Sequence, residues 1–178
     1  ETSFRLGNPA IAGHFLFGNA RNNGRVGVLL GLPVAQIPDS DLVDIAAASG
    51  SYTLAVAARG LWDLWLYSPE TFSIAFPARY QAIVAGHLRL AAEGALGIFI
   101  ATGDGRDTEM GLQFGGEIAY VDGGFDLGLR LRNAWLVTAD GDNFQMALEP
   151  YVRGNLGSVF LQARLTMNVD DPYGFAFD

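Results

Sequence analysis

The chain has no cysteine, which excludes a disulfide framework and any thiolate-held metal site. It has no lysine either: its 11 basic residues are all arginine. Genome composition explains that first, and a need for planar, weakly hydrated cations in a crowded interior second. Charge of both signs is scarce, at 17% of residues, where soluble domains carry roughly a quarter. The net charge of −8 argues against nucleic acid or an anionic lipid surface as partner. There is no run of about 18 apolar residues, so no membrane-crossing helix is expected. No signal peptide is visible at Glu1, and a start without Met is compatible with a processed chain. Crossing by strands stays open, because a transmembrane strand needs only about 9–11 residues and leaves no hydropathy peak.

What the chain does have is glycine, 23 residues of it, and strict two-residue alternation. The clearest stretch runs from Thr108 to Val169. Phe125, Leu127, Leu129, Leu131, Asn133, Trp135 and Val137 alternate with Asp126, Gly128, Arg130, Arg132 and Ala134. Phe144, Met146, Leu148, Pro150 and Val152 alternate with Gln145, Ala147, Glu149, Tyr151 and Arg153. Met110 to Tyr120 and Val159 to Val169 repeat the pattern. Neighbouring side chains on a strand point to opposite faces, so these are four strands with one apolar and one charged side.

Upstream, Phe72–Tyr80 and Leu88–Ile100 alternate in the same way, and residues 4–34 do so less regularly. Arg21-Asn22-Asn23-Gly24 reads as a hairpin turn followed by a strand over Arg25–Val34. Residues 36–70 break the alternation. A helix start at Pro38-Asp39-Ser40-Asp41 predicts helix over 41–49, while 52–60 suits helix or strand. The cluster Leu61, Trp62, Leu64, Trp65 and Tyr67 favours contact with lipid or another protein. The alternatives are packing on a rim or folding inward as a constriction. Pro77 and Pro150, inside strands, mark bulges or edges.

Alternation fits a soluble sandwich as well as a membrane barrel, and three features separate them. Strand starts recur roughly every 15–21 residues, against about 8–12 in sandwiches. Tight turns at 84–86, 122–124 and 155–157 alternate with longer acidic loops at 103–107, 139–142 and 170–172. On the apolar face, Tyr80, Tyr120 and Phe125 lie at the tight-turn ends and Phe72, Trp135 and Phe144 toward the loop ends. Between them come mainly aliphatic residues, the arrangement of two interfacial aromatic girdles.

On these residues the chain resembles Gram-negative outer-membrane β-barrel proteins of the porin-like type, well over 71–169 and less well over 4–34. The resemblance implies an all-β, antiparallel up-and-down transmembrane barrel in the bacterial outer membrane, with a pore as one possible role. One domain over 1–178 is expected, with about eight to ten strands visible and a partly helical insertion near 36–67. Two tight-turn conventions clash at the end of the chain. If tight turns are periplasmic, the chain stops past an external loop, and Tyr173, Phe175 and Phe177 read as the start of one more strand. That points to a barrel that is truncated or closes with other chains.

The inward face is expected to carry Arg79, Arg89, Glu93, Glu117, Arg130, Arg132, Glu149, Arg153 and Arg164, with Gln81, Gln113, Gln145 and Gln162. Such residues either select ions or polar solutes in a pore or form a salt-bridged plug, since about eight strands leave room only for side chains. Asp104–Asp107 and Asp140–Asp142 lack the spacing of a calcium loop and read as solvated turns. His14 and His87 have no nucleophile motif around Ser68, Ser73 or Ser158, so no enzyme and no cofactor are expected. Gly103-Asp104-Gly105 lacks the context of a phosphate cradle. The expected partners are a lipid bilayer and other envelope proteins or further copies. Three functions follow: a porin-like passive channel for small polar solutes, a structural scaffold barrel with a plugged lumen, and a soluble barrel holding an apolar ligand. The last needs the apolar face to point inward.

Overall fold

The computed structural model describes residues 7–37, 42–59, 61–103, 107–138, 143–157 and 159–170. They form an antiparallel meander: β1 (Ala10–Gly18), β2 (Asn22–Gly31), β3 (Thr71–Val84), β4 (Leu88–Ala101), β5 (Glu109–Asp122), β6 (Phe125–Leu136), β7 (Phe144–Leu156), β8 (Val159–Arg164) and β9 (Met167–Asn168). Each strand from β1 to β8 pairs with the next in sequence, and β9 adds to β7. Among the described residues no ladder joins β1 to β8 or β9, so the sheet is open, with β1 and β8 at its edges.

The two ends of the sheet differ. At one end, connections of two or three residues join β1 to β2, β3 to β4, β5 to β6 and β7 to β8. At the other end the described chain continues into residues 32–37, 102–103 and 137–138. The expected helix start at 38–41, residues 104–106 of the expected acidic loop at 103–107, the loop at 139–142, residues 171–172 of the loop at 170–172 and the aromatic tail at 173–177 lie outside the described residues.

Both strand prolines interrupt a ladder without shifting register. β2 and β3 pair from Asn22↔Ala82 to Val26↔Ala78, skip the rungs facing Pro77 and Phe76, and resume at Leu29↔Ala75 in the same register. β7 pairs with β8 up to Tyr151↔Arg164 and with β9 from Leu148↔Met167. Between them Leu165 donates its N–H to the Pro150 carbonyl at 3.1 Å, and Pro150 has no N–H to return. The expected strand over 159–169 is therefore two pieces on one line, and the expected bulges are simple gaps.

The first hairpin turns earlier than the Asn-Gly signal suggests. Gly18 pairs with Asn23, and the Asn19 side-chain oxygen accepts from the N–H groups of Arg21 and Asn22, both at 2.9 Å. An Asn side chain bonding two residues on mimics a backbone turn. Gly24 lies within β2 instead, where a Cβ would come within 2.4 Å of the Phe17 ring. β2 accordingly starts at Asn22 and ends at Gly31, ahead of the expected Val34.

The open choice over 52–60 is decided for helix: α1 spans Leu42–Ala57. Its Tyr52 and Ala48 are buried, and its Leu42, Val43 and Leu54 are exposed. Among the described residues no helix is long and apolar enough to cross a membrane. After α1 a strap runs through Leu61 and Asp63, both at positive φ, into a 3-10 turn at Leu64–Leu66. Such backbone costs roughly 1–3 kcal/mol per residue and persists only where surroundings enforce it. Two anchors do so. Arg59 pairs with Asp63, and buried Asn8 holds the strap from outside. Asn8 donates to the carbonyls of Ser68 (2.6 Å) and Trp65 (3.4 Å), and accepts from the Ala35 N–H at 2.8 Å.

Candidate functional site

The two faces of the sheet are opposite in character. On one, Leu127, Leu129 and Leu131 are 57%, 41% and 40% exposed. Phe114, Ile118, Leu112 and Leu96 are exposed beside them. On the other, Arg132, Glu117, Asp126 and Glu149 are buried. Polar residues are covered while large apolar ones are not, the reverse of a water-soluble core.

Curling of the sheet buries the polar face. Arg89 on β4 donates to the Tyr151 hydroxyl on β7 at 2.7 Å. Three ladder steps of about 4.8 Å separate those strands, so concave curvature brings the tips together. Gly128 makes the contact possible. It lies directly opposite Tyr151, and a Cβ there would come within 2.6 Å of the ring. The Arg130 guanidinium stacks over the Tyr151 ring, 4.2 Å from its centroid.

Register sets four of the ion pairs directly. Arg79↔Glu93, Glu117↔Arg130, Arg130↔Glu149 and Asp126↔Arg153 are direct cross-strand neighbours, the placement in which opposite charges attract most. Longer reaches tie these pairs into one network. Glu117 accepts from Arg130 (2.6 Å), Arg89 (2.7 Å) and Arg79 (3.1 Å). Glu149 accepts from Arg130 and Arg132, both at 2.8 Å, with Arg164 at 3.7 Å. Asp126 takes Arg153 at 2.6 Å and Arg89 at 3.2 Å. Arg79, Arg89, Glu93, Glu117, Arg130, Arg132, Glu149, Arg153 and Arg164 thus share one face of the sheet and join this network.

Asp126 and Tyr151 complete the network without having been singled out. The signal was present, since both share the two-residue phase of Arg130 and Arg153. Of the glutamines, Gln113 donates to the Leu61 carbonyl at 3.1 Å and Gln145 to that of Asp170 at 2.9 Å.

The inner face divides along its length. Its turn-end half is charged. Its loop-end half is small: Ser73, Ala75, Ala95, Gly97, Gly111, Ala134 and Ala147. The strap fills that half. Leu61, Leu64 and Trp65 pack in one cluster with Ala75, Ala95, Phe99 and Ala134, and Trp62 stacks on Arg132 at 4.8 Å. This corrects the expectation of a lipid- or protein-facing aromatic cluster. The tryptophans are 8% and 6% exposed, because the small residues opposite them leave a trough they fit.

Most outer aromatics fall at two levels, with Phe76 and Phe114 exposed between them. Tyr120 and Phe125 lie 5.9 Å apart at the turn end, with His87 stacked on Tyr120 at 5.6 Å. Tyr80 is exposed on the same face. Trp135 and Phe144 are direct neighbours at the loop end, where Phe72 is the second residue of β3 on the same face.

Three spaces open on the inner side. One of about 340 Å³ lies at the turn end, lined by Arg25, Arg79, Arg89, Arg130 and Arg153. A second of about 280 Å³ lies beneath Trp62 and shares Arg25 and Arg79 with the first. A third of about 550 Å³ lies between α1, the strap and the loop end, lined by Tyr52, Val56, Leu64 and Phe99 with Asp107 and Glu109. Among the described residues no cluster of His, Asp and Glu could hold a metal ion. Comparison with protein-family models, curated proteins and solved structures finds no match.

Proposed function

We propose that this chain forms the wall of an outer-membrane β-barrel that passes small polar solutes passively along its charged inner face. The orientation of the two faces carries the reading: mainly aliphatic exposed residues between two aromatic levels outside, and buried arginines and carboxylates inside. A bilayer offers backbone groups no hydrogen bonds, so the open edges β1 and β8 must be paired there by further strands. The soluble reading with an apolar ligand in the interior requires the opposite orientation. The two spaces that share Arg25 and Arg79 run from the charged turn end, the more polar of the two, toward the more apolar surroundings of Trp62 and Trp65.

A structural barrel with a plugged lumen is the second reading, favoured by the strap. Trp62 and Trp65 occupy the loop-end half of the inner face, and the network ties β3 through β8 together. Conductance separates the two. Purified protein inserted in planar bilayers should give stepwise currents. No current above bare lipid would sink the channel and leave the scaffold.

A further inference from the structure

We infer that the turn-end chamber of the inner face binds a small oxyanion, with Arg25 as its free cationic arm. The inference names a ligand class for the proposed channel and rests on that reading for its access from solvent. Its argument is one of charge balance. Among the described residues the network joins Arg79, Arg89, Arg130, Arg132, Arg153 and Arg164 to only four carboxylates, Glu93, Glu117, Asp126 and Glu149. Arg25 adds to the excess. The chamber wall carries five arginines and no carboxylate. An excess of positive charge inside a chain of net charge −8 concentrates on one surface what the rest of the molecule opposes.

Register sharpens the point. Arg25 lies directly opposite Arg79 on the same face of the β2–β3 ladder. Like charges so placed repel. Arg79 is bound by Glu93 and Glu117, whereas Arg25 makes no ion pair among the described residues. Arg153, on the same wall, is partly exposed and is held only by Asp126 among the described carboxylates. An anion between these guanidinium groups removes the repulsion and accepts from their planar forks, which match the geometry of phosphate and carboxylate. The ion is a free one rather than a lipid headgroup, because the chamber opens on the charged face and not on the apolar one.

The test is calorimetric titration of inorganic phosphate onto the protein in maltoside micelles, which contain no phosphate. Saturable binding is expected. Arg25→Ala should weaken it roughly tenfold, the worth of one charge-assisted contact. Arg21→Ala, on the exposed turn outside the chamber, should leave it unchanged. In bilayers, phosphate on one side should reduce the chloride current of the wild type and much less that of Arg25→Ala. Absence of saturable binding, or equal binding by Arg25→Ala, overturns the inference. A protein without current that still binds phosphate through Arg25 overturns the channel and keeps the site.

Discussion

Glu117→Gln tests whether the inner-face network holds the sheet together. The substitution keeps shape and removes one charge. Glu117 has a side chain 1% exposed and accepts from three arginines that are 10–16% exposed. Removing one member of a buried ion pair costs about 3–5 kcal/mol, because the partner charge is left uncompensated. Here each partner keeps another acceptor: Glu93 for Arg79, Asp126 and Tyr151 for Arg89, Glu149 for Arg130. The expected loss is therefore lower, about 2–4 kcal/mol. With a urea dependence of roughly 2 kcal/mol per molar, the unfolding midpoint should fall by about 1–2 M. Tryptophan fluorescence in micelles follows the transition through buried Trp62 and Trp65. Asp122→Asn, at an exposed turn, is the control. The double variant Glu117→Gln/Arg130→Gln should cost less than the sum of its two single changes, since the second removes a contact that the first has already broken. A Glu117→Gln midpoint equal to that of the control would refute the reasoning.

Leu129→Arg places a charge at mid-strand on the apolar face. If that face meets lipid, the substitution should cost about 2–4 kcal/mol of folding stability in vesicles, and an effect under 0.5 kcal/mol, the ~0.5 kcal/mol range of ordinary surface sites, would contradict the lipid-facing assignment. Gly128→Val should displace the Tyr151 ring and cost about 1–3 kcal/mol. It should also release the Arg89–Tyr151 bond, which the same urea titration and a shift in tyrosine absorbance would report.

Two periodicities made much of this fold legible. Strict alternation over Phe125–Val152 placed Leu129 and Arg130 on opposite faces, because a strand allows nothing else. Turn chemistry put Gly123-Gly124 and Ala85-Gly86 at one end of the sheet. Once neighbouring strands pair in order, the cross-strand partners Glu117↔Arg130 and Arg130↔Glu149 follow from register. The first hairpin was less legible, because an Asn19 side chain outcompeted the Asn23-Gly24 signal.

Alternation therefore determined which residues share a face, and short turns which strands are neighbours across them, both local consequences of the chain. Curvature and the path of residues 32–70 were decided only in the tertiary structure. Alternation is identical in flat and curled sheets, so it cannot bring Arg89 to Tyr151 across three ladder steps. The aromatic strap has no period of its own. It lies on the inner face because Ala75, Ala95 and Ala134, far apart in sequence, converge into a trough that fits Trp65.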